Sequence, residues 1–158
     1  IADTLQPQTA LDIGCGPGTY VNALREHGVA ARGIDTDERV KDKEHLRQQS
    51  LFDNVNTAEL VLCLEVAEHI AEDQADAVAA SVADAVAPGG ILIWSAAQPG
   101  QGGAGHINCQ SKDYWAERLT ACGLQRDEEI EQHLKDYAVS GYHMGWFVQN
   151  CMVFYRES

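Results

Sequence analysis

One short stretch near the start of the chain puts a carboxylate, three alternating glycines and a hydroxyl in sequence: Leu11-Asp12-Ile13-Gly14-Cys15-Gly16-Pro17-Gly18-Thr19. Apolar residues run straight into the glycines, and a helical pattern follows them. Glycine is needed where the backbone bends tightly and where a ligand must come close to the main chain. The spacing is G-x-G-x-G. Thr19 stands where the dinucleotide fingerprint G-x-G-x-x-G has its last glycine. Asp12 beside the bend would repel a pyrophosphate and attract a cation, and it can accept hydrogen bonds from an ammonium group or from the loop. The alternative is a plain glycine turn between strand and helix. Asp35 lies about twenty residues beyond the bend, at the end of the next apolar run, where an acid in Rossmann-type sites accepts from ribose hydroxyls. Its two oxygens suit vicinal hydroxyls. The competing reading is a solvated loop acid among Asp37 and Glu38.

These residues need elements to hold them. Ala10–Ile13 predicts a short buried strand, Thr19–His27 a helix stopped by Gly28, and Val29–Ile34 a second strand. Residues 35–48 predict a polar loop with one turn of helix, and Gln49–Phe52 a short edge strand. Glu59–Leu64 predicts a strongly buried strand. Ala75, Val78, Val82, Ala85 and Val86 recur at helical spacing after acidic Glu72 and Asp73, up to Pro88-Gly89-Gly90. Ile91–Trp94 predicts another buried strand, followed by a glycine-rich loop from Gln98 to Gln110. Ser111 predicts an N-cap for a helix carrying Trp115, Leu119 and Cys122, ending at Gly123. Leu124 onward predicts a strand, then a loop, with Phe147–Phe154 as the last strand. Alternation of this kind predicts a mostly parallel sheet with helices on both faces, and an antiparallel hairpin at one edge.

The chain has 158 residues, 24 acidic against 11 basic, for a net charge of −13. Nucleic acid and anionic membranes are therefore not expected as partners. No apolar run reaches the length of a membrane span, and no basic segment precedes an apolar one as in a signal peptide. The chain begins at Ile1 rather than Met, so residues before it are an open question. The five cysteines show no C-x-x-C pair, which predicts free thiols in a reducing cytoplasm and no zinc cluster or other metal site.

Asp12–Gly18 resembles the first motif of class I S-adenosylmethionine (SAM)-dependent methyltransferases, and Asp35 falls where their ribose-binding acid falls. Cys63-Leu64-Glu65-Val66-Ala67-Glu68-His69-Ile70 is similar to their segment after strand 4, in the subset reading LEVAEH. Ala87-Pro88-Gly89-Gly90 resembles their turn into strand 5. Gly100–Asn108, with its GQGG and GHIN, resembles a loop of a small single-domain branch of bacterial and phage type. Together these cover nearly the whole chain.

The resemblance implies one SAM-binding domain over residues 1–158, of α/β class, with a Rossmann-like, mainly parallel seven-stranded sheet, an antiparallel edge strand and helices on both faces. It implies cofactor contacts from Asp12, Gly14, Cys15, Gly16, Gly18, Asp35, Thr36, Ser50, Leu51, Leu64 and Glu65. Residues Cys63–Glu65 would line the methionine and methyl end, and Thr36 would sit near the adenine. Ser50 stands where an aspartate often binds the adenine amino group, and it would accept that bond less strongly than an anion. The segment from Asp35 to Ser50 is short for a full helix.

His106 is the candidate base for an oxygen or nitrogen acceptor; alternatively, His106 and Asn108 pin the long loop. His69 reads as a packing or capping residue. His143, Trp146 and Gln149 are candidates for an acceptor pocket, with Trp146 also readable as a core or interface aromatic. Trp94 and Trp115 read as core. The implied function is methyl transfer to an O or N acceptor on a small molecule or glycan. The rivals are a non-catalytic SAM-binding or scaffold module, and an NAD-dependent oxidoreductase, against which Thr19 and Asp12 speak. No lid or substrate domain is evident, so the acceptor site is expected to be shallow or completed by a partner subunit, a homodimer being one form of this.

Overall fold

The computed structural model describes residues 5–40, 43–141 and 144–158. A strand inside a parallel sheet has no solvent face, so its sequence is apolar at successive positions rather than alternating. β4 (Ala58–Leu64) follows this rule, with Leu60, Val61, Leu62 and Cys63 all buried. It pairs in parallel with β1 (Thr9–Ile13) on one side and β5 (Val86–Ser95) on the other. β1 pairs with β2 (Ala30–Asp35), and β2 with β3 (Leu46–Gln48), both in parallel. At the far side β7 (Met152–Arg156) lies between β5 and β6 (Leu124–Arg126) and runs antiparallel to both. The order is β3-β2-β1-β4-β5-β7-β6, the expected seven strands.

The pleat sorts the core into two layers. Val61 and Cys63 face one side, with Trp94, α2 (Ala75–Ala85) and α3 (Lys112–Ala121). Leu60 and Leu62 face the other, with α1 (Thr19–Glu26), α4 (Glu128–Gly141) and α5 (Gly145–Asn150). Helices therefore cover both faces. Ala75, Val78, Ala79, Val82 and Ala83 form the buried stripe of α2. The Ser111 hydroxyl accepts from the Tyr114 N–H at 3.2 Å and caps α3 as expected. Trp94 and Trp115 are fully buried with ring centroids 5.2 Å apart.

Four elements differ from the sequence expectation. The third strand is Leu46–Gln48, and Leu51 sits in a turn just beyond it, because Leu46 fills the core beside Gly18 while Phe52 points outward. Strand β5 starts at Val86 and runs through Pro88-Gly89-Gly90, with an irregularity opposite residues 58–60 absorbing the glycines. Residues 128–141 form a helix, not a loop. Phe147–Asn150 belongs to α5, so the final strand begins only at Met152. The antiparallel pairing at this edge is thus connected by two helices rather than by a loop.

A buried ion cluster holds that helical connection in place. Glu131 of α4 is 4% exposed. It accepts from Arg126 Nε and Nη2, both at 3.0 Å, from Lys112 Nζ at 3.2 Å, and from Lys135. Lys112 also donates to the Cys151 carbonyl at 2.8 Å. Burial raises the Glu131 carboxyl, but Arg126, Lys135 and Lys112 outweigh it and hold it down at about 2.

Candidate active site

Parallel pairing brings the carboxyl ends of β1, β2 and β4 side by side, with Ile13 opposite Ile34 and Cys63. Between β1 and β4 the strand order reverses, and open α/β sheets bind ligands in the crevice such a reversal creates. The glycine bend lies at this point. Gly14 and Cys15 both donate their N–H to the Ile34 carbonyl, at 2.9 and 3.0 Å, which pins the bend onto β2. Gly14 has φ +74°, and a Cβ there would lie 2.4 Å from Val66 Cγ2, so only glycine fits.

Three acids surround the bend. Gly16 donates its N–H to Asp35 Oδ2 at 2.7 Å, and Asp37 donates to Asp35 Oδ1 at 2.9 Å. Each oxygen keeps a second lone pair for a ligand. Asp12 is 2% exposed, and its Oδ2 has no hydrogen-bond partner among the described residues. Burial, and then the charge of Asp35, raise its carboxyl to about 7. Burial raises the Tyr20 phenol, and the charges of Asp12 and Glu65 raise it further. Glu65 adopts φ +54°, a left-handed conformation that costs energy outside glycine. It is held there by its N–H bonds to Ser95 O (3.0 Å) and Oγ (3.1 Å), and by Asn150 Nδ2 donating to its Oε1 at 3.1 Å. Asn150 in turn accepts from Gln98, and Gln101 donates to Gln149 Oε1 at 2.9 Å. The start of the glycine-rich loop is thereby tied to α5.

A cavity of about 650 Å³ opens beside the bend. Of the sequence-predicted residues, Gly14, Asp35, Thr36, Ser50, Leu51 and Glu65 line it. Asp12, Cys15, Gly16, Gly18 and Leu64 lie around the bend without lining it. Burial drives the Cys15 thiol up to about 12, so it is no nucleophile. Sequence reasoning missed Phe52, Val66, Ile70, Gln74 and Ile107 as wall residues and treated His69 as packing, although it too lines the cavity. Their signal was weak: Val66 and Ile70 read as ordinary helix-start hydrophobes, and nothing in a sequence marks Ile107 as 67% exposed. Trp146 is partly buried edge-on to Phe147, with centroids 5.7 Å apart. His143 lies outside the described residues.

His106 sits next to the cavity wall rather than in it. Its ring packs edge-on against His69, centroids 5.0 Å apart, and its Nε2 is 3.9 Å from Glu68 Oε1. Its Nδ1 lies 3.3 Å from the Gln101 carbonyl. The glycine-rich loop is anchored from below by the Glu68 carbonyl, which accepts from Ile107 N–H at 2.8 Å and Asn108 N–H at 3.0 Å. Glu68, His69 and His106 form one cluster whose ligand atoms lie within 4.8 Å of one another.

A family model described as a methyltransferase domain matches residues 2–137. The chain belongs to that family. This methyltransferase domain is 31% identical over 106 residues to the ubiquinone biosynthesis O-methyltransferase of Coxiella burnetii (strain Dugway 5J108-111), a match covering 58% of the chain and 44% of the relative. The chain thus spans under half the length of the curated relatives it matches. Its fold is similar to that of the sugar N-methyltransferase KedS8 from Streptoalloteichus sp ATCC 53650, with a TM-score of 0.70 at 18% identity over 96% of the chain and 81% of that protein. It is also similar to magnesium protoporphyrin IX methyltransferase from Synechocystis PCC 6803, solved with bound SAM, with a TM-score of 0.70 at 17% identity over 99% and 74% of the two chains. These likenesses establish the class I, Rossmann-like methyltransferase fold. Among the described residues, no helix is long and apolar enough to cross a membrane.

Proposed function

We propose that this domain binds SAM in the cavity beside the glycine bend and methylates an oxygen or nitrogen of a small molecule. The observation that carries the reading is the buried Asp12 carboxyl, its Oδ2 without a hydrogen-bond partner among the described residues, at a bend beside which Asp35 lines the cavity. An anionic bend suits a cation and opposes a pyrophosphate. Asp35 would accept from the ribose hydroxyls, and Ser50 and Leu51 would flank the adenine. Gly14 gives the methionine end access to the backbone, and Glu65 lines the cavity with it. When bound, SAM supplies an electrophilic methyl group on a positively charged sulfur. The chain's own part is to hold the acceptor in line and to exclude water. Phe52, Ile70 and Ile107 provide the apolar rim for this. A cavity of about 650 Å³ is of small-molecule size, and the curated relative named above is a ubiquinone biosynthesis O-methyltransferase. A glycan acceptor would fit the same chemistry.

Calorimetry with SAM, S-adenosylhomocysteine and NAD tests the cofactor. Binding of the first two and not of NAD is expected; NAD binding, or binding of none, overturns the reading. A screen of phenols, catechols and amines with methyl-labelled SAM then separates an enzyme from a non-catalytic SAM-binding module, which would show binding and no labelled product.

The raised Asp12 carboxyl gives a pH signature. Folded Asp12 keeps its proton up to about pH 7, whereas the unfolded chain releases it near 3.8. Its contribution to stability is therefore present at low pH and declines as pH rises from about 4 to 7. SAM affinity should move the opposite way, rising as the carboxylate forms. Between pH 6 and pH 8 the affinity is expected to increase by up to roughly tenfold, with proton release on binding at pH 6. Asp12→Asn should flatten both trends, and a flat profile in the parent chain would remove Asp12 from the site.

A further inference from the structure

We propose that Glu68, His69 and His106 form a divalent metal site at the edge of the cavity, one that takes a cation favouring nitrogen and oxygen donors, such as Mn²⁺, Co²⁺ or Zn²⁺. The inference rests on the methyltransferase reading for its role, but not for its existence. The strongest observation is Glu68 itself. It is fully buried, and neither carboxylate oxygen has a hydrogen-bond partner among the described residues. A buried carboxylate without partners is costly unless a charge meets it. Two imidazoles and the Glu65 charge face it, with the backbone N–H groups of Glu68 and Ala97 beside it, and neither imidazole makes a hydrogen bond to it. The 3.9 Å between His106 Nε2 and Glu68 Oε1 is too long for such a bond. Two atoms that each ligate one ion at about 2.1 Å sit roughly 3.4 Å apart in a tetrahedral site, so a side-chain shift of about half an ångström brings this pair onto one ion.

Both rings are already oriented as metal ligands are. His69 Nδ1 lies 3.1 Å from the Gly105 carbonyl, and His106 Nδ1 lies 3.3 Å from that of Gln101. A carbonyl accepts only, so each Nδ1 is placed to donate, and in that tautomer each Nε2 lone pair is left free; the Cys109 thiol also lies 3.8 Å from His106 Nδ1. A backbone carbonyl on the far nitrogen is the usual outer support of a ligating histidine. The loop is shaped around this arrangement: a Cβ on Gly103 would lie 2.2 Å from His106 Nε2, so only glycine leaves that space open. The ligands come from two distant segments, the turn after β4 and the loop after β5, so sequence spacing shows no cluster.

Two nitrogens and one carboxylate leave coordination positions free, and His69 faces the cavity. A cation held here would take an acceptor hydroxyl oxygen as its next ligand and favour loss of that hydroxyl proton to solvent. His106 would then serve as a metal ligand rather than as the base.

The test uses untagged protein stripped with a chelator and titrated with Mn²⁺, followed by electron spin resonance and calorimetry, and with Co²⁺, followed by its visible spectrum. One equivalent is expected to bind in the micromolar range or tighter, with a raised melting temperature. His106→Ala and Glu68→Gln should each weaken binding at least tenfold while calorimetric SAM affinity stays within twofold. Because Glu68→Gln alters a buried group, Gly103→Ala serves as a second probe that displaces His106 without removing a ligand. Absence of binding at millimolar metal, or variants that bind as the parent does, overturns the site. SAM binding without metal binding sinks this inference alone, and metal binding without SAM binding sinks the cofactor reading alone.

Discussion

Replacing Asp35 by alanine is expected to weaken SAM binding about ten- to hundredfold. Asp35 closes β2 at the switch point and presents both oxygens to the cavity wall, each already accepting one backbone N–H from Gly16 or Asp37. The substitution removes two charge-assisted acceptors for the ribose hydroxyls, worth roughly 1–3 kcal/mol. It also frees the Gly16 N–H and so loosens the bend. Asp35→Asn separates the two effects: it keeps the shape and one acceptor, and should lose less. Calorimetry with S-adenosylhomocysteine, beside a thermal melt of each variant, reads the outcome. Unchanged affinity in a folded Asp35→Ala protein would remove Asp35 from the ribose role.

Glu131→Ala is expected to be the most destabilising single change, by roughly 3–5 kcal/mol, because it leaves Arg126, Lys112 and Lys135 gathered around a lost partner. A carboxyl held at about 2 instead of 4.5 contributes roughly 3 kcal/mol at neutral pH. Its folded value is depressed, so that contribution is present above pH 4.5 or so and is lost as pH falls toward 2. Urea denaturation at pH 7, 5 and 3 should show the parent chain losing stability over that window and Glu131→Gln losing much less. Parallel pH profiles for the two proteins would show that the cluster is solvated rather than buried.

The strands and helices that bury one continuous surface were legible from residue order. Leu60–Cys63, the α2 stripe and the Gly14–Gly18 bend each carry a local signal that the fold respects. The helix at 128–141 was not legible. Its acidic first turn, Glu128, Glu129 and Glu131, reads as a solvated loop until tertiary contact buries Glu131 among cations supplied by α3 and β6. Phe147–Asn150 resembles a strand by composition, yet its helical turn buries Asn150, which donates to Glu65. At the site, Asp35 and Gly14 were legible because a strand-to-turn signal fixes their position. The Glu68–His69–His106 grouping was not, since it arises only when the loop after β5 folds back onto the turn after β4.

The position of β7 bears on how the chain reaches this state. Residues 152–156 enter between two strands that precede them, so β5 keeps an unpaired row of amide and carbonyl groups on one side until they arrive. That row belongs to Ile91–Trp94, a run of high β-propensity with no charge, the kind of edge that recruits another chain. Shortened products stopping before Met152 would therefore be prone to self-association, and a late, long-range strand insertion of this kind makes slow assembly the expected kinetic signature.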